Sequence, residues 1–181
     1  MAACLIFISW FAINGCAGPL VVSFPFDVSK RGSIVNEEFR VRDYRSYYFA
    51  IRFDYVVTNE AEVQRDMALI GDGGRQIRGI PKPRGIVIPV KIKLTRVATD
   101  NSPQELIYEN IIDTDNRYAG KRESRFRKIT TVDLKPGVYR VVAETLKDRP
   151  EFSFMTTYLH IGPHPGIKFL PNTVNRDQSR H

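Results

Sequence analysis

The feature that most constrains this chain is a period-two alternation of apolar and polar residues in two separate stretches. Tyr47, Phe49, Ile51, Phe53, Tyr55 and Val57 fall on one side, with Tyr48, Ala50, Arg52, Asp54 and Val56 on the other. Ile86, Ile88, Val90, Ile92 and Leu94 repeat the pattern, with Lys91, Lys93 and Thr95 opposite. Successive side chains of an extended chain point to opposite faces, so each stretch predicts a strand with one face in a core. Pro89 falls on the polar side and brings no N–H, which predicts a sheet edge or a bulge there.

Weaker strand patterns cover residues 20–28, 33–41, 105–111, 124–133, 137–146 and 152–161. Turn formers separate them, at 30–33, 100–103, 135–137 and 147–150. Leu134-Lys135-Pro136-Gly137 reads as a tight turn feeding a strand, since Pro136 presets φ and Gly137 tolerates a positive one. One segment reads as a helix over 60–70. Asn59 and Glu62 have the spacing of a capping box, Val63, Met67 and Ile70 form an apolar stripe, and Gly71 stops it. Residues 71–85 predict a long loop. The expectation is a mainly β protein, an antiparallel, immunoglobulin-like β-sandwich of about eight strands with one short helix. A length of 181 residues favours a single domain, placed at 21–162 with an irregular tail at 163–181.

The N-terminus stands apart. Residues 2–13 are a twelve-residue run, apolar but for Ser9, shorter than the roughly 20 needed to span a bilayer but suited to the core of a secretory signal. Ile13-Asn14-Gly15-Cys16 resembles the bacterial lipobox, although Met1-Ala2-Ala3 lacks the basic residues that open most signals. The other cysteine, Cys4, lies inside the run, so cleavage before Cys16 leaves no unpaired structural thiol in an oxidising compartment. The expectation is a signal peptide over 1–15, lipidation of Cys16, a tether over 16–20, and a periplasmic protein anchored at the outer membrane, since Ala17 is not the Asp of an inner-membrane retention signal. No charged residue precedes Asp27, so the processed chain keeps its formal side-chain charge of +7.

Motifs for catalysis are weak. Gly71-Asp72-Gly73-Gly74-Arg75 follows a helix and opens a proline-rich loop, the reverse of a phosphate-binding loop's context. His160 and His164 are separated by Pro163, and nothing nearby completes a zinc-ligand pattern. No Gly-x-Ser-x-Gly elbow is present. The expectation is no catalytic residue, no metal and no cofactor. The densest charged stretch runs from Arg117 to Lys128. Arg117, Tyr118, Lys121, Arg122, Arg125 and Arg127 combine cationic and aromatic groups of the kinds enriched at interface hot spots, and are expected to bind a protein partner. Basic and aromatic interleaving also suits single-stranded nucleic acid, but an exported domain rarely meets it, so no nucleic acid is expected.

Several stretches taken together resemble a family of small proteobacterial lipoproteins: Phe24-Pro25-Phe26-Asp27-Val28-Ser29-Lys30 with Gly32, Tyr47 to Phe53, Ile88 to Ile92, Leu134 to Val141, and Glu151-Phe152. Some such proteins are similar to immunity proteins paired with type VI secretion effectors, including lipases that act in the periplasm. The resemblance implies a membrane-tethered, non-enzymatic protein that neutralises a secreted toxin by tight binding. The alternative is a structural or lipopolysaccharide-binding envelope lipoprotein. The resemblance carries over no binding residue.

Overall fold

The computed structural model describes residues 20–54, 59–71, 84–99, 103–115, 117–121 (backbone only) and 124–164. The expected signal peptide, Cys16 and the residues after 164 therefore lie outside the described residues, as does most of the expected 71–85 loop.

Nine strands are described: β1 (Val22–Pro25), β2 (Ile34–Val41), β3 (Arg45–Asp54), β4 (Ile88–Arg96), β5 (Glu105–Thr114), β6 (Arg117–Lys121), β7 (Ser124–Leu134), β8 (Gly137–Thr145) and β9 (Thr156–Pro163). One helix, α1 (Glu60–Ile70), follows β3, and a single 3-10 turn (Pro150–Phe152) precedes β9. They form a five-stranded sheet, β1-β9-β3-β7-β6, and a four-stranded sheet, β2-β8-β4-β5, with every pairing antiparallel.

The alternation read from the sequence is what closes the two sheets on each other. Tyr47, Phe49, Ile51 and Phe53 on β3, and Ile88, Val90, Ile92 and Leu94 on β4, are all buried, each at most 1% exposed. Phe39 of β2 crosses the gap to meet Phe49 of β3 edge-on at 6.2 Å and stacks on Tyr139 of β8 at 5.8 Å. Offset and edge-on aromatic pairs of this kind add to the burial of their area.

The strand order carries an immunoglobulin-like centre with exchanged flanks. β3-β7-β6 and β8-β4-β5 follow the B-E-D and F-C-C′ neighbours of a variable domain. The last strand, β9, lies beside β3 where the first strand of that fold would sit, and β2 takes the last strand's place beside β8.

Asn59 caps α1 as expected, its side-chain oxygen accepting from the Glu62 N–H at 3.0 Å, and the Gly71 N–H closes the other end on the Met67 carbonyl with φ +88°. Pro89 differs from its expected place. It lies in β4, which is flanked on both sides. The β4–β8 register begins only at Val90, and the Pro89 carbonyl accepts from Leu146 just past the end of β8, so the missing donor falls beyond the ladder. β1 is shorter than the 20–28 pattern, and the 152–161 pattern divides into the 3-10 turn and β9.

Candidate functional site

The basic stretch from Arg117 to Lys128 is a strand pair at one edge of the five-stranded sheet. β6 pairs with β7 in the register Arg117↔Arg127, Gly120↔Arg125 and Lys121↔Ser124. The pairing slips between Arg117 and Ala119, so Tyr118 sits in a bulge-like irregularity. The side chains of Arg117, Tyr118 and Lys121 lie outside the described residues, as does all of Arg122.

On β7 the strand period splits the cluster between two faces. Arg125 and Arg127 stand opposite Phe53 and Ile51 of β3 and share their inward side, whereas Phe126 and Lys128 stand opposite Arg52 and Ala50 on the outer side. Arg127 is 0% exposed, which corrects the expectation that it binds a partner. Its guanidinium donates to the carbonyls of Ile70 (2.7 Å), Ile86 (2.5 Å), Thr114 (3.1 Å) and Leu69. It also lies over the rings of Phe53 and Phe152, at 5.4 and 5.5 Å. The last carbonyls of α1 are a site of partial negative charge that a cation offsets, and that of Leu69 also accepts the Ile86 N–H at 2.9 Å. Burial draws the guanidinium pKa down to about 10, opposed by the nearby Asp115 carboxylate, so the group stays charged at neutral pH. Two glycines make room for this hub. A Cβ on Gly85 would come within 2.2 Å of Arg127 Nη2, and one on Gly71 within 2.7 Å of the Asp115 carbonyl. Arg127 is therefore a clamp joining α1, the segment before β4 and the end of β5 to the core.

The outer side of the same sheet holds a cluster that sequence reading did not bring together. His160 of β9 stands between Ser23 of β1 and Ala50 of β3, with Lys128 of β7 next in the row. Ser23 Oγ and His160 Nδ1 are 2.9 Å apart. The imidazole meets the rings of Tyr48 at 5.4 Å and Phe126 at 5.0 Å. One row along, the Arg52 guanidinium lies 4.9 Å over the Tyr158 ring and is ion-paired with Asp54. Contacts between residues 137 apart in sequence leave no periodic trace, so only the strand order could have shown them.

A serine bonded to a histidine raises the question of nucleophilic catalysis. An activated serine needs a base that is itself oriented by a third group and poised near the working pH. Here burial, and then the Arg52 charge, hold the His160 pKa at about 4, too low for an effective base at neutral pH. The charged neighbour is a cation where a triad has a carboxylate. Among the described residues no group of three or more His, Cys, Asp or Glu side chains is arranged to hold a metal ion. The face carries three aromatic rings, a guanidinium and the exposed Lys128 on one side of the sheet.

The family model described as "Domain of unknown function (DUF5625)" matches residues 23–163, which spans both sheets. No curated protein matches the chain. A solved structure of a protein from Sulfurospirillum deleyianum is similar at 21% identity, covering 81% of this chain and 98% of that one, with a TM-score of 0.66. A likeness at that identity is one of fold.

Proposed function

The chain belongs to the DUF5625 family, and we propose that it is a non-enzymatic binding protein of the bacterial envelope, tethered through lipid on Cys16, that neutralises a secreted toxin by occluding it. The observation that carries this reading is the outer face of the five-stranded sheet. Tyr48, Arg52, Phe126 and Tyr158 gather on it around a neutral histidine, where an outward sheet face ordinarily alternates into polar residues. Tyr and Arg are the residue types that dominate binding energy, because they desolvate a large rigid surface and keep a polar end.

The mechanism is steric. A sheet face preorganised by backbone ladders loses little conformational freedom on docking, so more of the contact energy appears as affinity. The positive net charge speeds encounter with an acidic partner, and the lipid on Cys16 holds the protein in the compartment where the toxin arrives. The partner class follows from the resemblance: a type VI effector such as a periplasmic lipase.

Co-expression of the full chain with the toxin encoded beside it tests the proposal. Phe126→Ala and Tyr158→Ala together should abolish protection of the host while the protein remains folded and membrane-bound. Full protection by that double variant would reject this face as the docking surface.

A further inference from the structure

The two sheets part along one seam, where the edge strands β1 and β2 run side by side without pairing to each other. That seam opens into a cleft of about 340 Å³, at the small end of the roughly 300–1,000 Å³ typical of ligand sites. Its floor is apolar, built from Leu20, Val22 and Phe24 on one side and Phe39 on the other, and Arg40 and Arg42 stand on its rim. The rim's one carboxylate, Glu38, is engaged by Arg140 across the sheet at 2.6 Å. Arg40 and Arg42 are exposed and, among the described residues, make no ion pair. An apolar slot crowned by two uncompensated guanidinium groups fits a ligand with a hydrocarbon chain and an anionic head.

Chain geometry says where such a ligand would come from. Leu20 lines the cleft, and Cys16 is four residues upstream, so at most about 14 Å of extended chain separates them. A lipid-bearing Cys16 therefore puts this cleft within reach of the bilayer surface. We propose that the β1–β2 cleft is a lipid site that takes one acyl chain of an anionic membrane phospholipid along Leu20, Val22, Phe24 and Phe39, with Arg40 and Arg42 on its phosphate. The choice of a membrane lipid rests on the tethered reading of Cys16. The cleft's preference for an anionic amphiphile rests on the residues that line it. Bound this way, the domain would sit seam-down on the membrane, fixing its orientation as well as its location.

The test uses single-chain lysophosphatidylglycerols of six, eight and ten carbons, below their micelle concentrations, titrated into the full chain carrying Cys16→Ala. Each buried methylene should tighten binding about fourfold, so affinity should rise about 250-fold from six to ten carbons if the cleft takes all four, and at least tenfold if it takes two. In that background R40Q/R42Q should weaken binding about 30-fold, from about fivefold for each charge beside an anionic lipid. K93Q/K147Q, which removes two exposed charges elsewhere, should leave it unchanged. An equal loss in both double variants would reduce the effect to net charge and overturn the site. So would chain-length independence, or inorganic phosphate binding as tightly as the ten-carbon lipid. An unchanged urea midpoint for R40Q/R42Q shows that the fold is intact. Failure of acylation at Cys16 in the wild-type chain would remove the tether without touching these titrations.

Discussion

Arg127→Met removes a buried guanidinium and keeps much of its volume, taking their side-chain donor from the carbonyls of Ile70, Ile86 and Thr114, while that of Leu69 keeps the Ile86 N–H at 2.9 Å. A buried acceptor without a partner costs about 1–3 kcal/mol. The bonds to Ile70 and Thr114 are the most deeply placed, and those to Leu69 and Ile86 are closer to water. Against this stands the relief of burying a cation, about 3 kcal/mol as its pKa of about 10 implies. The balance is a loss of about 3 kcal/mol, a large part of the stability of an ordinary domain. Arg127→Lys should do no better. It keeps the charge buried, and a single ammonium cannot span four carbonyls as a planar fork does. Urea unfolding measures both losses, and amide exchange should show the last turn of α1 opening first. A loss below about 1 kcal/mol for the methionine variant, or full rescue by lysine, would refute the clamp. Association with a partner, per folded molecule, should not change, because the side chain never reaches the surface.

His160 makes stability pH-dependent. Its pKa is about 4 in the folded state against about 6.5 unfolded, so the unfolded chain takes up the proton first and stability falls as pH drops from about 6.5 to 4. The loss is at most about 3 kcal/mol, and His160→Gln should flatten the urea midpoint over that window. Phe53→Ala, at a site 0% exposed and packed 5.4 Å from Phe152, should cost about 3–5 kcal/mol by the same assay. Cys16→Ala should abolish acylation and membrane fractionation and leave the circular-dichroism spectrum unchanged. Mass spectrometry finding an unmodified N-terminus at Met1 in the wild-type protein would contradict the lipobox reading.

The strands that build the sandwich were legible because each buries one face. On β3 and β4 the residues the alternation picks out are buried, with Ser46, Ala50 and Thr95 buried on the opposite faces as well, and α1 announces itself by a side-chain cap that needs only local sequence. The functional surfaces were less legible because they depend on burial and on pairing between distant strands. Arg127 reads as surface by charge, yet its parity on β7 matches that of buried Ile129, and a bulge at the Phe49/Ala50 step then shifts the register. β6 reads as loop because basic residues and a glycine hide a short edge strand. Ser23 and His160 meet only because the first and last strands of the described chain lie side by side.

The most direct test of the central claim is titration of the purified protein against the toxin encoded beside it, following both heat of binding and the toxin's hydrolytic activity. The account predicts a one-to-one complex, activity falling linearly to zero at equivalence, and an association rate that drops as salt rises, because exposed charges are screened beyond about 8–10 Å. A toxin that stays fully active in excess protein, or is consumed by turnover rather than held in a stoichiometric complex, would contradict it.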